Sequence, residues 1–292
     1  KMAGTLYVVP TPIGNMSDIT ARAKETLEKV HFIAAEDTRV SGRLLQLLDI
    51  HSTLVSYHEH NKESAGKELL KLLTEGKNIA LVSDAGMPVI SDPGEELVKL
   101  CIENDIEIVT LCGPTAFTTA LVYSGISGRR FSFEGFLPVP KKERSAHLEE
   151  VKNDTRTLIF YEAPHKLLKT LSDLKDALGN RKIAVCRELT KKFEEIIRGD
   201  IESAISHFEE TSPKGEFVLV IEGANEEEIL KEKRENLPSP EELLKIRQSE
   251  TLYGKELVKA VAQELNLPKR EVYEIYLKME KKQSFFPVPF QF

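Results

Sequence analysis

At 292 residues, 41% hydrophobic and 30% charged, the chain holds enough apolar material for a globular protein of two or more domains. No apolar run approaches the roughly 20 residues that cross a bilayer, which excludes a helical membrane protein. A formal charge of −7 excludes bulk electrostatic attraction to nucleic acid and leaves only local basic grooves for that purpose.

Lys1-Met2-Ala3-Gly4 passes directly into a strand pattern, so no secretory leader and a cytoplasmic location are expected. Cys101, Cys112 and Cys186 are odd in number, widely spaced and set in apolar company, which predicts free thiols rather than disulfides or a metal site.

From residue 5 to about 125 strand-like and helix-like segments alternate. Leu6-Tyr7-Val8-Val9 reads as a strand, and Ser17-Asp18-Ile19-Thr20 opens a helix carrying Ala23, Leu27 and Val30. Phe32 to Ala35 is a second strand, followed by a helix around Leu44, Leu45 and Leu48. Thr53 to Tyr57 is a third, then a helix with Leu69, Leu70, Leu72 and Leu73 closed by Gly76. Ile79 to Val82 and Ile106 to Val109 complete the series, each feeding a helix. After Val82 comes Ser83-Asp84-Ala85-Gly86-Met87-Pro88-Val89-Ile90-Ser91-Asp92-Pro93-Gly94, in which Asp92-Pro93 reads as N-cap and first residue of the next helix. The repetition predicts a mainly parallel sheet covered on both faces, with ligand loops beyond the carboxyl ends of its strands.

A different rhythm begins near Phe131. Thr157 to Tyr161, Ile183 to Cys186, Glu194 to Gly199 and Phe217 to Ile221 are strand-like, and some follow one another without a helix, which predicts a mixed sheet. The charged run Glu226 to Glu235 reads as a linker or exposed helix. Helical periodicity returns from Pro240 to Lys278, with Leu267-Pro268-Lys269-Arg270-Glu271 as a turn between two helices, and the tail from Ser284 to Phe292 is apolar and proline-broken. The expected division is an α/β domain over residues 1–125, a second α/β domain over 126–224, and a linker with a small helical module over 225–292.

Six loops at strand ends carry the chemistry: Pro10 to Asn15, Glu36-Asp37-Thr38-Arg39, Tyr57 to Asn61, Ser83 to Gly94, Cys112 to Ala116, and Tyr161-Glu162-Ala163-Pro164-His165. Each alone reads equally as an ordinary turn or helix start. In this order and spacing over about 220 residues, joined by Phe133-Glu134-Gly135-Phe136-Leu137-Pro138 and Lys214 to Gly223, they resemble the tetrapyrrole methylase superfamily. Within it the chain is similar to the branch of ribosomal RNA 2′-O-methyltransferases.

The resemblance implies two α/β domains with S-adenosylmethionine in the cleft between them, a homodimer, and methylation of a cytidine ribose in the decoding centre of 16S rRNA on the small ribosomal subunit. It implies a cofactor site of Pro12, Gly14, Asp84, Ala85, Gly86, Met87, Val89, Ile90, Gly113, Pro114, Thr115, Ala116, Tyr161, Glu162, Ala163, Pro164, Gly215, Glu216 and Val218. Met87 stands where the superfamily usually has threonine, Cys112 where it has proline and Thr115 where it has serine. Physically, Gly86, Gly113 and Gly215 would permit close backbone approach, Val89, Ile90 and Val218 would flank an adenine, and Asp84 would face a cationic group. No dinucleotide or P-loop fingerprint competes with this reading.

A ribose hydroxyl must lose its proton during or after methyl transfer, which calls for a carboxylate or histidine within hydrogen-bond reach. Glu36, Asp37 and His58 are the candidate bases, with Arg39 as a phosphate clamp or orienting partner. RNA is expected to meet Arg39, Lys141, Lys142, Arg144, Lys166, Arg187, Lys191 and Lys192, and further along Lys255, Lys269 and Arg270. The alternatives are a C-methyltransferase of corrin or porphyrin precursors, a diphthine-type methyltransferase acting on a protein, and a ribosome-binding homologue without catalysis. The module after residue 237 and the Glu36 to Arg39 loop favour the RNA branch.

Overall fold

The apolar runs of the first half build a five-stranded parallel sheet ordered β3-β2-β4-β1-β5. Its strands are β1 (Thr5–Val8), β2 (Phe32–Ala35), β3 (Thr53–Ser56), β4 (Ile79–Val82) and β5 (Glu107–Thr110). Central β4 is buried throughout, whereas the edge strands β3 and β5 are only half covered, as expected where helices pack on both faces. The period of two is visible on β4: Ile79 and Leu81 join Leu69, Leu73, Leu97 and Cys101 on one face, and Ala80 and Val82 join Ala23, Leu27 and Leu45 on the other. The first cluster holds α3 (Lys62–Thr74) and α4 (Glu95–Glu103), the second α1 (Ala21–Lys29) and α2 (Thr38–Leu47). The structure is a computed structural model that describes residues 2–235, 238–249 and 253–283.

A mixed sheet follows, ordered β6-β7-β10-β8-β9, from β6 (Phe131–Phe136), β7 (Thr157–Glu162), β8 (Lys182–Arg187), β9 (Glu195–Asp200) and β10 (Phe217–Ile221). β6 and β7 run parallel because α6 (Lys141–Val151) lies between them in the chain; the other pairs are antiparallel. Gly135, at φ +62°, marks a register shift in β6. α7 (Leu167–Leu178) and α8 (Ile201–Glu210) cover one face. α5 (Ala116–Ser124), reached from β5 of the first sheet, covers the other through Ala120 against Ile159, Ala184 and Val218. Both sheets thus share one compact unit, residues 1–223.

The second unit, residues 224–292, contains α9 (Glu226–Glu235), α10 (Pro240–Ser249), α11 (Gly254–Glu264) and α12 (Lys269–Gln283). Leu243, Leu244, Leu257, Val258, Val261, Leu265, Val272 and Tyr276 form its buried core, so every periodic apolar residue read from Pro240 to Lys278 packs inward. The tail from Ser284 to Phe292 lies outside the described residues.

Two local expectations need correction. Ser17 to Thr20 does not begin α1: residues Met16–Asp18 form a separate 3-10 turn, and the Thr20 hydroxyl caps α1 by accepting from the Ala23 N–H. Asp92 does not cap α4. The helix starts two residues beyond Pro93, with Gly94 at φ +143° as its N-cap.

Candidate functional site

Where β4 ends, the buried Ser83 hydroxyl donates to the carbonyls of Ala85 at 3.3 Å and Gly86 at 3.2 Å and bends the chain into a tight turn. Thr11 and Gly86 then exchange backbone hydrogen bonds at 2.9 and 3.0 Å, joining the loop after β1 to the loop after β4. Further along, Val89 at φ +77° and Ser91 at φ +63° lie in the left-handed region. A β-branched residue there is strained, and such strain persists where surrounding structure enforces it. Gly94 supplies the enforcement: a Cβ on it would lie 2.8 Å from both Leu81 Cδ2 and Val89 Cγ2. The folded-back loop places Asp92 in the cleft instead of at the helix start.

The cleft is a cavity of about 440 Å³, within the usual range for small-molecule sites. The first sheet's side contributes Ile13, Glu36, Asp84, Ala85, Gly86, Met87, Ile90, Ser91, Asp92, Thr115 and Ala116. Facing them are Phe136, Tyr161, Glu162, Ala163, Pro164, Leu189, Glu216 and Phe217. The lining includes the acids Glu36, Asp84, Asp92, Glu162 and Glu216 and no lysine, arginine or histidine.

These acids are not equivalent. Burial, reinforced by the nearby Glu36 and Asp84 charges and opposed by a hydrogen bond from Ser83, pushes Asp92 up to about 7. Burial and Asp84 also raise Glu36, while His58 works against the rise. Asp84 is raised by burial, although its Oδ1 accepts the Asp37 N–H at 3.1 Å. Glu162 is buried and occupied structurally, accepting from the Ala163 N–H at 2.7 Å and from the Thr170 hydroxyl. Tyr161 is pushed by burial up to about 12, and its hydroxyl accepts the Phe117 N–H at 3.3 Å. A cluster of partly desolvated carboxylates gains most from a cationic ligand, which would restore their ionised forms. Among the described residues no group of His, Cys, Asp and Glu side chains is placed to hold a metal ion.

Of the expected bases, Glu36 lines the cavity. Asp37 instead caps α2, accepting the Arg39 N–H at 2.8 Å, and pairs with the Arg39 guanidinium at 2.6 Å, which lowers it to about 2. Arg39 itself is 90% exposed. His58 lies outside the lining but close enough to Glu36 to act on it, with a buried Nδ1 that has no hydrogen-bond partner among the described residues.

Twelve of the cofactor residues read from sequence are in the lining: Asp84 to Met87, Ile90, Thr115, Ala116, Tyr161 to Pro164 and Glu216. Pro12, Gly14, Val89, Gly113, Pro114, Gly215 and Val218 are not. The glycines among them serve close packing of protein on protein. A Cβ on Gly113 would meet the Pro10 ring at 2.6 Å, on Gly14 the Lys191 side chain at 2.4 Å, and on Gly215 the Glu188 side chain at 2.5 Å. Val218 is buried in the second sheet's core.

The basic residues also divide. Arg144 is buried, its Nε 2.6 Å from Asp173 and its NH2 2.7 Å from the Thr170 hydroxyl, so it is a structural cation and unavailable to RNA. Arg187 is held by Glu195 and the Lys214 carbonyl, and Lys191 by Glu188 and Glu216. Lys141, Lys142 and Lys192 remain exposed, and Lys166 is half-buried in the turn after Pro164.

Sequence reasoning missed Ile13, Ser91, Asp92, Phe136, Leu189 and Phe217 as lining residues. For Asp92 a signal existed: the residue before a proline is biased away from helical geometry, and Pro93-Gly94 allows a helix to start later than Asp92.

The family model described as Tetrapyrrole (Corrin/Porphyrin) Methylases matches residues 5–205. The protein of Bacillus subtilis (strain 168) named ribosomal RNA small subunit methyltransferase I is 50% identical over 275 residues, covering 94% of each chain. The protein of the same name from Synechocystis sp. is 47% identical over 278 residues, covering 95% of this chain and 99% of that one. Among solved structures, the methyltransferase CobJ aligns with a TM-score of 0.59 at 18% identity, over 76% of this chain and 95% of that one. Uroporphyrin-III-C-methyltransferase from Thermus thermophilus aligns with a TM-score of 0.55 at 21% identity, over 75% and 94%. These structural likenesses establish the shared fold.

Proposed function

The chain belongs to the tetrapyrrole methylase family, and from that membership we propose that it uses S-adenosylmethionine to methylate a ribose 2′-hydroxyl of 16S rRNA, at a cytidine of the decoding centre on the small ribosomal subunit. The observation that carries this reading is the acid-only cleft. It suits a cationic methyl donor and disfavours an acceptor covered in carboxylates, as corrin and porphyrin precursors are. The names of the relatives at 50% and 47% identity support RNA as the acceptor.

When bound, S-adenosylmethionine supplies a methyl group on a positively charged sulfonium. Glu36, Asp84 and Asp92 would face that charge, and Ile13, Met87, Ile90, Ala116, Leu189 and Phe217 would give apolar walls to the flat heterocycle. Holding donor and acceptor together in a site shielded from water supplies much of the rate enhancement. The protein's remaining task is to take the hydroxyl proton. Burial raises both Glu36 and Asp92, the latter to about 7, and the sulfonium charge would favour their ionised forms, which are the forms that accept a proton. The phosphates of the RNA stay outside the acidic cleft, against the exposed Arg39, Lys141, Lys142 and Lys192.

The acidic chain with scattered basic patches favours an assembled small subunit over naked RNA. The testing experiment offers methyl-labelled S-adenosylmethionine with small subunits from a strain lacking this protein, with protein-free rRNA, or with uroporphyrinogen. Label entering rRNA, fastest on subunits, supports the reading; label entering only the tetrapyrrole overturns it.

A further inference from the structure

Five aromatic rings form a row that ends in the cleft. Phe131 lies 6.2 Å from Phe117, Phe117 stacks on Phe133 at 4.7 Å, Phe133 meets Tyr161 edge-on at 4.8 Å, and Tyr161 meets Phe136 edge-on at 5.7 Å. Tyr161 is anchored by the Phe117 N–H, so the ring supporting Phe136 has a fixed position. Phe136 is nevertheless 53% exposed while lining the cavity, and Ile90, 37% exposed, lines it too. A rigidly backed ring left bare in a concave site offers its face to a flat ligand group. The Gly135 irregularity in β6 places it there: at φ +62° it breaks the register with β7 immediately before Phe136.

Resting on the methyltransferase reading above, we propose that Phe136 is the stacking platform for the base of the acceptor nucleotide. Three observations choose this occupant. The partner must be flat and largely uncharged, since the lining contains no cation to hold a phosphate. Asp92 and Tyr161, the ring beneath Phe136, line the same cavity as Phe136, so the platform and the carboxylate assigned to take the hydroxyl proton face one space. Phe136 also opens to solvent, the side from which a nucleotide turned out of its RNA stack must arrive. Because an aromatic face accepts any base, Phe136 supplies affinity and position, and the choice of cytidine rests elsewhere.

The test compares Phe136→Leu, which keeps apolar bulk but loses the ring face, with Phe136→Trp, which restores one. Initial rates of label transfer to small subunits give kcat and KM, and calorimetry gives S-adenosylmethionine affinity. The expected result is a KM for subunits raised about tenfold in the Leu variant, in line with one lost base stack, and restored in the Trp variant. S-adenosylmethionine affinity is expected to stay within about twofold of wild type, which also shows that the variants fold. An unchanged KM in the Leu variant, beside an active wild type, overturns the platform and leaves the methyltransferase reading standing. A loss of S-adenosylmethionine affinity in the Leu variant also overturns it, because the ring then serves the cofactor's own heterocycle. Failure of the wild type to label RNA at all overturns both.

Discussion

Asp92 shares its half-buried patch of the cleft with Glu36, whose charge raises the proton affinity of Asp92, and Asp84 raises that of both. The pair explains why the cleft favours a cation. It also makes both ligand binding and stability depend on pH.

An unfolded aspartate titrates near 3.9, whereas folded Asp92 titrates at about 7. The protonated form is therefore favoured by folding: its contribution is complete below the unfolded value and is lost as pH rises to about 7. Asp92→Asn removes the charge that costs stability. Its stability advantage over wild type is expected to grow by about 1 kcal/mol between pH 5 and 7, after discounting for solvent reaching a half-buried group, and then level off. Urea unfolding at several pH values checks this, and a constant difference would contradict it.

A cation binds the ionised form of Asp92. Wild-type affinity for S-adenosylmethionine is expected to rise up to about tenfold from pH 6 to pH 8, following ionisation of a group near 7. In the Asn variant the same titration by calorimetry is expected to be nearly flat.

Arg144 and its sequence neighbours should behave oppositely. Arg144→Ala leaves Asp173 and Thr170 without their buried partner and is expected to cost about 3 kcal/mol of unfolding free energy. Lys141→Ala and Lys142→Ala, at exposed positions, are expected to change stability by less than about 0.5 kcal/mol while weakening RNA binding and reducing its salt dependence.

Gly94→Ala tests the strained loop. The added methyl meets Leu81 and Val89 at 2.8 Å and the backbone sits at φ +143°, so a loss of about 3 kcal/mol is expected by thermal or urea unfolding. Gly125→Ala, with nothing near its Cβ, bears only its left-handed backbone strain and is expected to cost less.

The sequence made the sheets legible because strand and helix periods are local properties. Ile79 to Val82 alternates between two cores as written, and the charged edge residue Glu107 sits on an outer strand. The loops were legible as a set, through the spacing that ties Asp84 to Thr115 and Tyr161. Individual roles within them were not. Asp92 was hidden because Asp-Pro imitates a helix start, and its true position depends on the loop folding back so that Gly94 packs against Leu81 of β4 and Val89. Arg144 sat beside two lysines in a basic-looking run, and only the folding of α6 against α7 shows that it turns inward to Asp173. Phe136 entered only as one member of the Phe133 to Pro138 motif, since its exposure is set by the register shift at Gly135 and by Tyr161 from the neighbouring strand.

The most direct measurement is mass spectrometry of nucleosides from small-subunit rRNA after reaction with the wild type, Glu36→Gln and Asp92→Asn. The expected results are 2′-O-methylcytidine with the wild type, and a kcat lowered by about a hundredfold or more in Asp92→Asn, with a smaller loss in Glu36→Gln. A methyl group on a base instead of a ribose, or full activity in both variants, would contradict the proposed function.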